Sequence, residues 1–258
     1  MSEPVASNLR QGRRVREEFG RAGAVYNPER IGLVGSTGLI GTRLIEITSA
    51  GDVARMVGLA RRETKLPEGA RVEMFVADPS KWGEVLEAVK PRSLICALGT
   101  TWKKAGKDEE AFRAVDHDLV VETCKSAVAA GVSNLVLVSS AGADIRSKNF
   151  YLRTKGETER TVSTLGFKRL DILRPGLLRG SRKDDLRPVE ALARFASPVI
   201  DPLLPAKWEM FRSIDVDIVC EAALGLAMRK AAGRFTHDNE AMKRAAREWR
   251  AKAPTELE

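Results

Sequence analysis

Aromatic residues are scarce, at 5% of the 258 residues, and the chain carries two tyrosines, two histidines and three cysteines. Cys96, Cys124 and Cys220 are widely separated and set among apolar neighbours. That spacing excludes a disulfide framework and supplies no metal-ligand pattern, so buried thiols in a reducing compartment are expected and no metal. No apolar run reaches the length of a membrane span, and the N-terminus lacks the apolar core of a secretory signal. Several arginines in residues 9–21 are interrupted by Glu17 and Glu18, so a transit peptide is not favoured and a cytoplasmic location is expected. Internal repeats and low-complexity segments are also missing. The net charge is +8, which raises the question of nucleic acid. The basic residues are scattered in pairs such as Arg13-Arg14 and Lys103-Lys104, without interleaved aromatics. A solvated surface and a site for a phosphorylated cofactor account for the excess, and no nucleic-acid partner is expected.

What the chain does have is a run of glycines at a change of periodicity. Ile31-Gly32-Leu33-Val34 is a short apolar run, Gly35, Gly38 and Gly41 follow at intervals of three, and an apolar-periodic segment continues to Ile47. This order predicts a strand, a tight turn and a helix. Glycine at the turn lets the backbone approach a bulky anion, and the first N–H groups of the helix face it with the favourable end of the helix dipole. Gly41 allows the helix to pack close to the strand. The pattern is GxxGxxG and differs from the commonest dinucleotide fingerprint, GxGxxG.

Short apolar runs at 31–35, 55–60, 71–77, 93–98, 134–139 and 169–173 alternate with helical patterns at 39–50, 80–90, 108–130 and 151–165. Such alternation predicts βαβ units, hence an α/β fold with a Rossmann-type doubly wound parallel sheet. After Pro175 the pattern changes, because prolines at 188, 198, 202 and 205 interrupt residues 176–212. The expected organisation is a helical extension over 1–29, a nucleotide-binding core over 30–178, and a small substrate-cap region with C-terminal helices over 179–258.

A second group of residues carries chemistry. The run 134–139 ends in Ser139-Ser140, and Tyr151 and Lys155 follow four residues apart at the start of a helical segment. Residues at that spacing share a helix face. A phenol with a pKa of about 10 is a poor acid–base group at neutral pH, and a neighbouring ammonium lowers that pKa by favouring the phenolate. Tyr151 can then exchange a proton with a carbonyl or carbinol oxygen, and a serine at a strand's carboxyl end can hydrogen-bond the same oxygen.

With these elements the chain resembles the extended or atypical short-chain dehydrogenases/reductases, through Gly35-x-x-Gly38-x-x-Gly41, Ser139-Ser140, Tyr151-x-x-x-Lys155 and Leu173-Arg174-Pro175-Gly176. Leu98-Gly99-Thr100-Thr101, Lys104-Ala105-Gly106-Lys107, Val115-Asp116 and Ser139 to Asp144 look like the Tat-interacting-protein oxidoreductases within that group. The resemblance implies an NADP-binding Rossmann fold, with NAD the less favoured cofactor. Gly35, Ser36, Thr37, Gly38, Leu39 and Ile40 would form the phosphate loop. Arg61 and Arg62 follow the second strand and suit a 2′-phosphate where NAD-specific relatives carry an acid; Glu63 is the alternative acid. Asp78 would border the adenine, Leu98, Gly99 and Thr100 the central ribose, and Pro175, Leu177 and Leu178 the nicotinamide. Tyr151 would be the catalytic acid, Lys155 its partner and a ribose ligand, and Ser140 the polarising hydroxyl, with Ser139 as the alternative. Many superfamily members have asparagine where this chain has Asp116, which departs from the usual proton relay.

The resemblance implies an enzyme that reduces a carbonyl or oxidises an alcohol of small size, acting as a monomer or homodimer. A cofactor-sensing regulator with vestigial chemistry is the alternative. The segment 179–212 mixes Arg182, Lys183, Arg187 and Arg194 with Phe195, Val199, Leu203 and Leu204, and does not identify the substrate.

Overall fold

A computed structural model describes residues 29–51, 54–180 and 211–252. The expected N-terminal helix and the cap residues of 181–210 lie outside these. The chain opens with β1 (Arg30–Val34), α1 (Leu39–Ala50), β2 (Arg55–Ala60) and β3 (Val72–Val76). A single 3₁₀ turn at Pro79–Lys81 leads into α2 (Trp82–Val89), followed by β4 (Ser93–Cys96). Next come α3 (Glu109–Arg113), a π-helical turn over Ala114–Leu119, and α4 (Val120–Ala129). β5 (Asn134–Val138), α5 (Phe150–Ser163) and β6 (Arg169–Leu173) complete the alternation. The remaining elements are β7 (Leu178–Arg179), β8 (Ile214–Asp215), α6 (Val216–Ala227), β9 (Gly233–His237) and α7 (Asn239–Arg250).

Seven strands form one sheet in the order β3-β2-β1-β4-β5-β6-β9, and every neighbouring pair is parallel. A parallel sheet with helices on both faces needs strands apolar on both sides. β1, β4 and β5 meet that need, since Ile31 to Val34, Leu94 to Cys96 and Leu135 to Leu137 are all buried. On one face, Leu44 and Ile45 of α1 pack with Val219, Ala223 and Leu226 of α6 and Met242 of α7. On the other, Trp82 and Leu86 of α2, Val120 and Cys124 of α4 and Val162 of α5 cover the strands. β7 and β8 pair with each other in parallel beside this sheet.

The chain runs outward from β1 to β3 and then returns to lay β4 on the other side of β1. The loops after β1 and β4 therefore diverge in opposite directions and leave a crevice at the strands' carboxyl ends, where sheets of this kind bind ligands. Val34 is in register with Cys96, so the two loops leave the sheet side by side before they part.

Two features differ from the sequence pattern. The stretch 108–130 is not one regular helix, because the π turn interrupts it. β9 has no apolar alternation, yet it adds a seventh strand with Arg169 to Leu173 in register with Gly233 to His237. Its pattern is unreadable because it lies at the sheet's edge, where the three residues Arg234 to Thr236 remain exposed.

Candidate cofactor and catalytic site

The glycine turn after β1 is built as the spacing predicts. Gly35 adopts φ +89°, and a Cβ there would sit 2.4 Å from the Ala97 carbonyl oxygen, so only glycine fits between the two loops. A Cβ on Gly41 would come within 2.2 Å of the Gly35 carbonyl oxygen, which sets how closely α1 approaches the turn. The turn closes through Gly38 N–H donating to the Gly35 carbonyl at 3.0 Å, and the Thr42 hydroxyl holds the Ser36 carbonyl. α3, α5, α6 and α7 each start with an Asp or Asn side chain accepting a backbone N–H. α1 starts at Gly38 with no side-chain cap and no acidic residue in its first turn. The N–H groups at Leu39 and Ile40, without a partner among the described residues, are what an anionic group requires, and the pyrophosphate of a dinucleotide fits that requirement.

Around this loop, Arg61 and Arg62 are exposed directly after β2, and neither is ion-paired among the described residues. Thr37 is exposed and Ser36 buried within the turn. Asp78 caps the 3₁₀ turn by accepting from the Ser80 N–H and hydroxyl, and these bonds hold its carboxyl below the usual value. Leu98, Gly99 and Thr100 follow β4 across the crevice from Gly35. Pro175 is buried, with its carbonyl accepting the Ala141 N–H at 2.9 Å, while Leu177 is half exposed and Leu178 forms β7. The Asn239 side chain fixes this loop by accepting the Gly176 N–H.

Tyr151 and Lys155 lie on α5, whose N-cap Asn149 accepts the Leu152 N–H. Tyr151 is 38% exposed, and among the described residues no hydrogen bond engages its hydroxyl. Its ring packs against Phe112 at 5.6 Å between centroids, and Phe112 in turn meets Phe150 and Trp102. Lys155 is buried, with its Nζ 2.7 Å from Asp116 Oδ1. The two serines separate clearly. The Ser139 hydroxyl donates to buried Glu159, which also pairs with Arg174, so Ser139 is occupied in the protein's own network. The half-buried Ser140 hydroxyl reaches, among the described residues, only the neighbouring Ala141 carbonyl at 3.3 Å.

His117 pairs with Asp118 at 2.7 Å. Trp102, Lys103 and Lys104 sit on an exposed loop closed by the Lys107 N–H donating to the Trp102 carbonyl. Asp116 is the functional candidate that spacing left without a role. Its sequence signal, a carboxylate in the middle of an otherwise amphipathic helix, is common on solvated faces, and nothing local shows that this one points inward.

Residues 35–200 match the family model described as NAD(P)H-binding. Among curated proteins, the chain is 34% identical over 220 residues to "Protein fmp52, mitochondrial" of Emericella nidulans, covering 81% of this chain and 92% of that one. It is 33% identical over 220 residues to the protein of the same name from Aspergillus niger, with the same coverages. The names of these relatives overturn the cytoplasmic location expected from composition. Buried free thiols do not distinguish the cytoplasm from the interior of an organelle. Among solved structures, MoeE5 in complex with UDP-glucose and NAD has a TM-score of 0.62 at 16% identity, covering 85% of this chain and 81% of that one. The UDP-glucose 4-epimerase of Thermus thermophilus, in complex with NAD, has a TM-score of 0.61 at 21% identity, covering 87% and 84%. These likenesses carry the Rossmann-type α/β fold, and they do not distinguish NADP from NAD. With a capless glycine turn, a crevice at the β1–β4 reversal and a family match over residues 35–200, the chain belongs to the NAD(P)H-binding family.

Proposed function

We propose that the protein is an NADP-dependent oxidoreductase of the short-chain dehydrogenase/reductase type, acting on a carbonyl or alcohol and located in mitochondria. The observation that carries this reading is the placement of Tyr151 and Lys155 one turn apart on α5, with the tyrosine hydroxyl uncommitted among the described residues and the lysine buried. Bound cofactor supplies a hydride donor or acceptor. Tyr151 gives a proton to the carbonyl oxygen in reduction and takes it back in oxidation. Lys155 stabilises the phenolate by its charge, and Ser140 donates a hydrogen bond to the same oxygen. Gly35 to Ile40 take the pyrophosphate, Asp78 borders the adenine, and Leu98 to Thr100 with Pro175, Leu177 and Leu178 line the rest of the dinucleotide. Arg61 and Arg62, at the end of β2 and without an ion-pair partner among the described residues, favour NADP over NAD by matching a 2′-phosphate. The resemblance of Leu98 to Lys107 to the Tat-interacting-protein oxidoreductases supports the same reading. The mitochondrial location rests on the relatives' names.

Titration with NADPH tests the reading, with saturable quenching of its fluorescence as the expected result; no binding at millimolar cofactor would overturn it. Tyr151→Phe is expected to keep cofactor affinity and lose about 10²–10⁴ in turnover. Equal turnover removes Tyr151 from the mechanism. Saturable NADPH binding without turnover of any compound in a broad carbonyl screen favours a cofactor-sensing protein.

A further inference from the structure

Asp116 sits in the π turn between α3 and α4, where the chain makes one wide turn in place of a regular one. Such turns recur at functional sites because they redirect a side chain that a regular helix would aim elsewhere. Here the side chain is 1% exposed and is wedged between the loop after β4 and α5. Its Oδ2 accepts the Thr100 N–H at 2.7 Å. Its Oδ1, otherwise without a partner, faces the Lys155 Nζ at 2.7 Å. The Thr158 hydroxyl of α5 donates to the Asp116 carbonyl at 2.9 Å, which ties the π turn to the helix carrying Lys155. Gly99 makes room for the pair, since a Cβ there would lie 3.3 Å from Oδ1 and 3.7 Å from Nζ.

We propose that Asp116 is a positioning residue for the Tyr151–Lys155 couple: its carboxylate fixes the Lys155 ammonium in place and keeps it charged in a site closed to water. This rests on the oxidoreductase reading for its consequence, though not for the pairing itself. Burial opposes the charge on Lys155, and attraction to Asp116 and Tyr151 more than offsets it, leaving the lysine's pKa above its ordinary value. Cys96 at the end of β4 is the remaining titratable group bearing on Lys155, and it acts in the same direction. Neutralising Asp116 removes the main anion of the set. The lysine then loses its proton at lower pH, because a buried ammonium without a counter-ion is costly. In the reductive direction Tyr151 gives up its proton and is left as a phenolate, so earlier loss of the lysine charge that stabilises it moves the alkaline loss of activity to lower pH.

The test has two arms. In protein carrying ¹³C at the lysine ε-carbon, the Lys155 resonance is assigned by its loss in Lys155→Arg and titrated in wild type and Asp116→Asn. The variant's titration is expected to move down by about one pH unit or more, and Asp116→Glu to restore part of the shift. Superimposable titrations of wild type and Asp116→Asn overturn the proposal. Should Asp116→Asn fail to fold, the wild type alone decides, because a Lys155 titration below the ordinary lysine value of about 10.4 overturns it. The second arm follows NADPH-dependent reduction of phenanthrenequinone across pH, and the alkaline limb is expected at lower pH in Asp116→Asn than in wild type. A coincident limb overturns the consequence for Tyr151. A moved Lys155 titration with no turnover in either protein counts against the oxidoreductase reading and leaves the pairing supported.

Discussion

Ser139 and Ser140 are adjacent in sequence and opposite in use. Because side chains alternate across the end of β5, one hydroxyl enters the Glu159–Arg174 network and the other stays at the crevice. Ser140→Ala is therefore expected to lower turnover by about 10²–10³, the usual cost of removing a hydrogen-bond donor from a reacting oxygen. Ser139→Ala is expected to keep turnover and lower stability by about 1–2 kcal/mol, since buried Glu159 loses a donor but keeps Arg174. Steady-state rates and denaturant unfolding of the two variants check both, and the reverse pattern would reassign the serines. Sequence alone narrows the polarising hydroxyl to two neighbours. Choosing between them takes the position of Glu159, which is 20 residues away.

At the level of elements, β9 shows what spacing could not reveal. Arg169 and Asp171 point from β6 into the same layer, both nearly inaccessible, and form a paired contact at 2.6 and 2.8 Å. The His237 imidazole of β9 reaches Asp171 at 2.8 Å, and Phe235 of β9 lies under the Arg169 guanidinium at 4.4 Å. The edge strand is thus fastened to β6 by a hydrogen bond and by stacking on a cation, where the inner strands are fastened by aliphatic burial. Asp171→Asn leaves a buried guanidinium short of its anion and is expected to cost about 3–5 kcal/mol. Urea unfolding measures that loss, and hydrogen exchange should show β9 amides losing protection first. A loss below about 1 kcal/mol would mean that the cluster is dispensable. β1, β2, β4 and β5 were readable because each is largely an apolar run, whereas Gly-Arg-Phe-Thr-His carries its stabilising partners on β6 and its meaning only in register with them. The π turn is hidden in the same way, since its 114–119 stretch reads as ordinary amphipathic helix.

For the whole molecule, ligand and fold are linked through the crevice. On the proposed reading, NADPH at about 100 times its Kd is expected to stabilise by about 2.7 kcal/mol and, in a chain of this size, to raise the Tm in a thermal melt by roughly 5–10 °C. The double variant Arg61→Ala/Arg62→Ala is expected to weaken NADPH by about 10–100-fold, the worth of charge-assisted bonds to a phosphate, and to leave NADH affinity unchanged. Equal losses for both cofactors would place the arginines away from the 2′-phosphate. The sequence by itself determined the alternation of strands and helices, the glycine turn and the Tyr151–Lys155 spacing. Each of these is a local property: a periodicity, a permitted φ, or two residues on one helix face. Tertiary structure decided which serine is free, how the seventh strand is held and that Asp116 faces Lys155. These depend on groups brought together across the sheet, and no spacing along the chain encodes which buried charge will meet which.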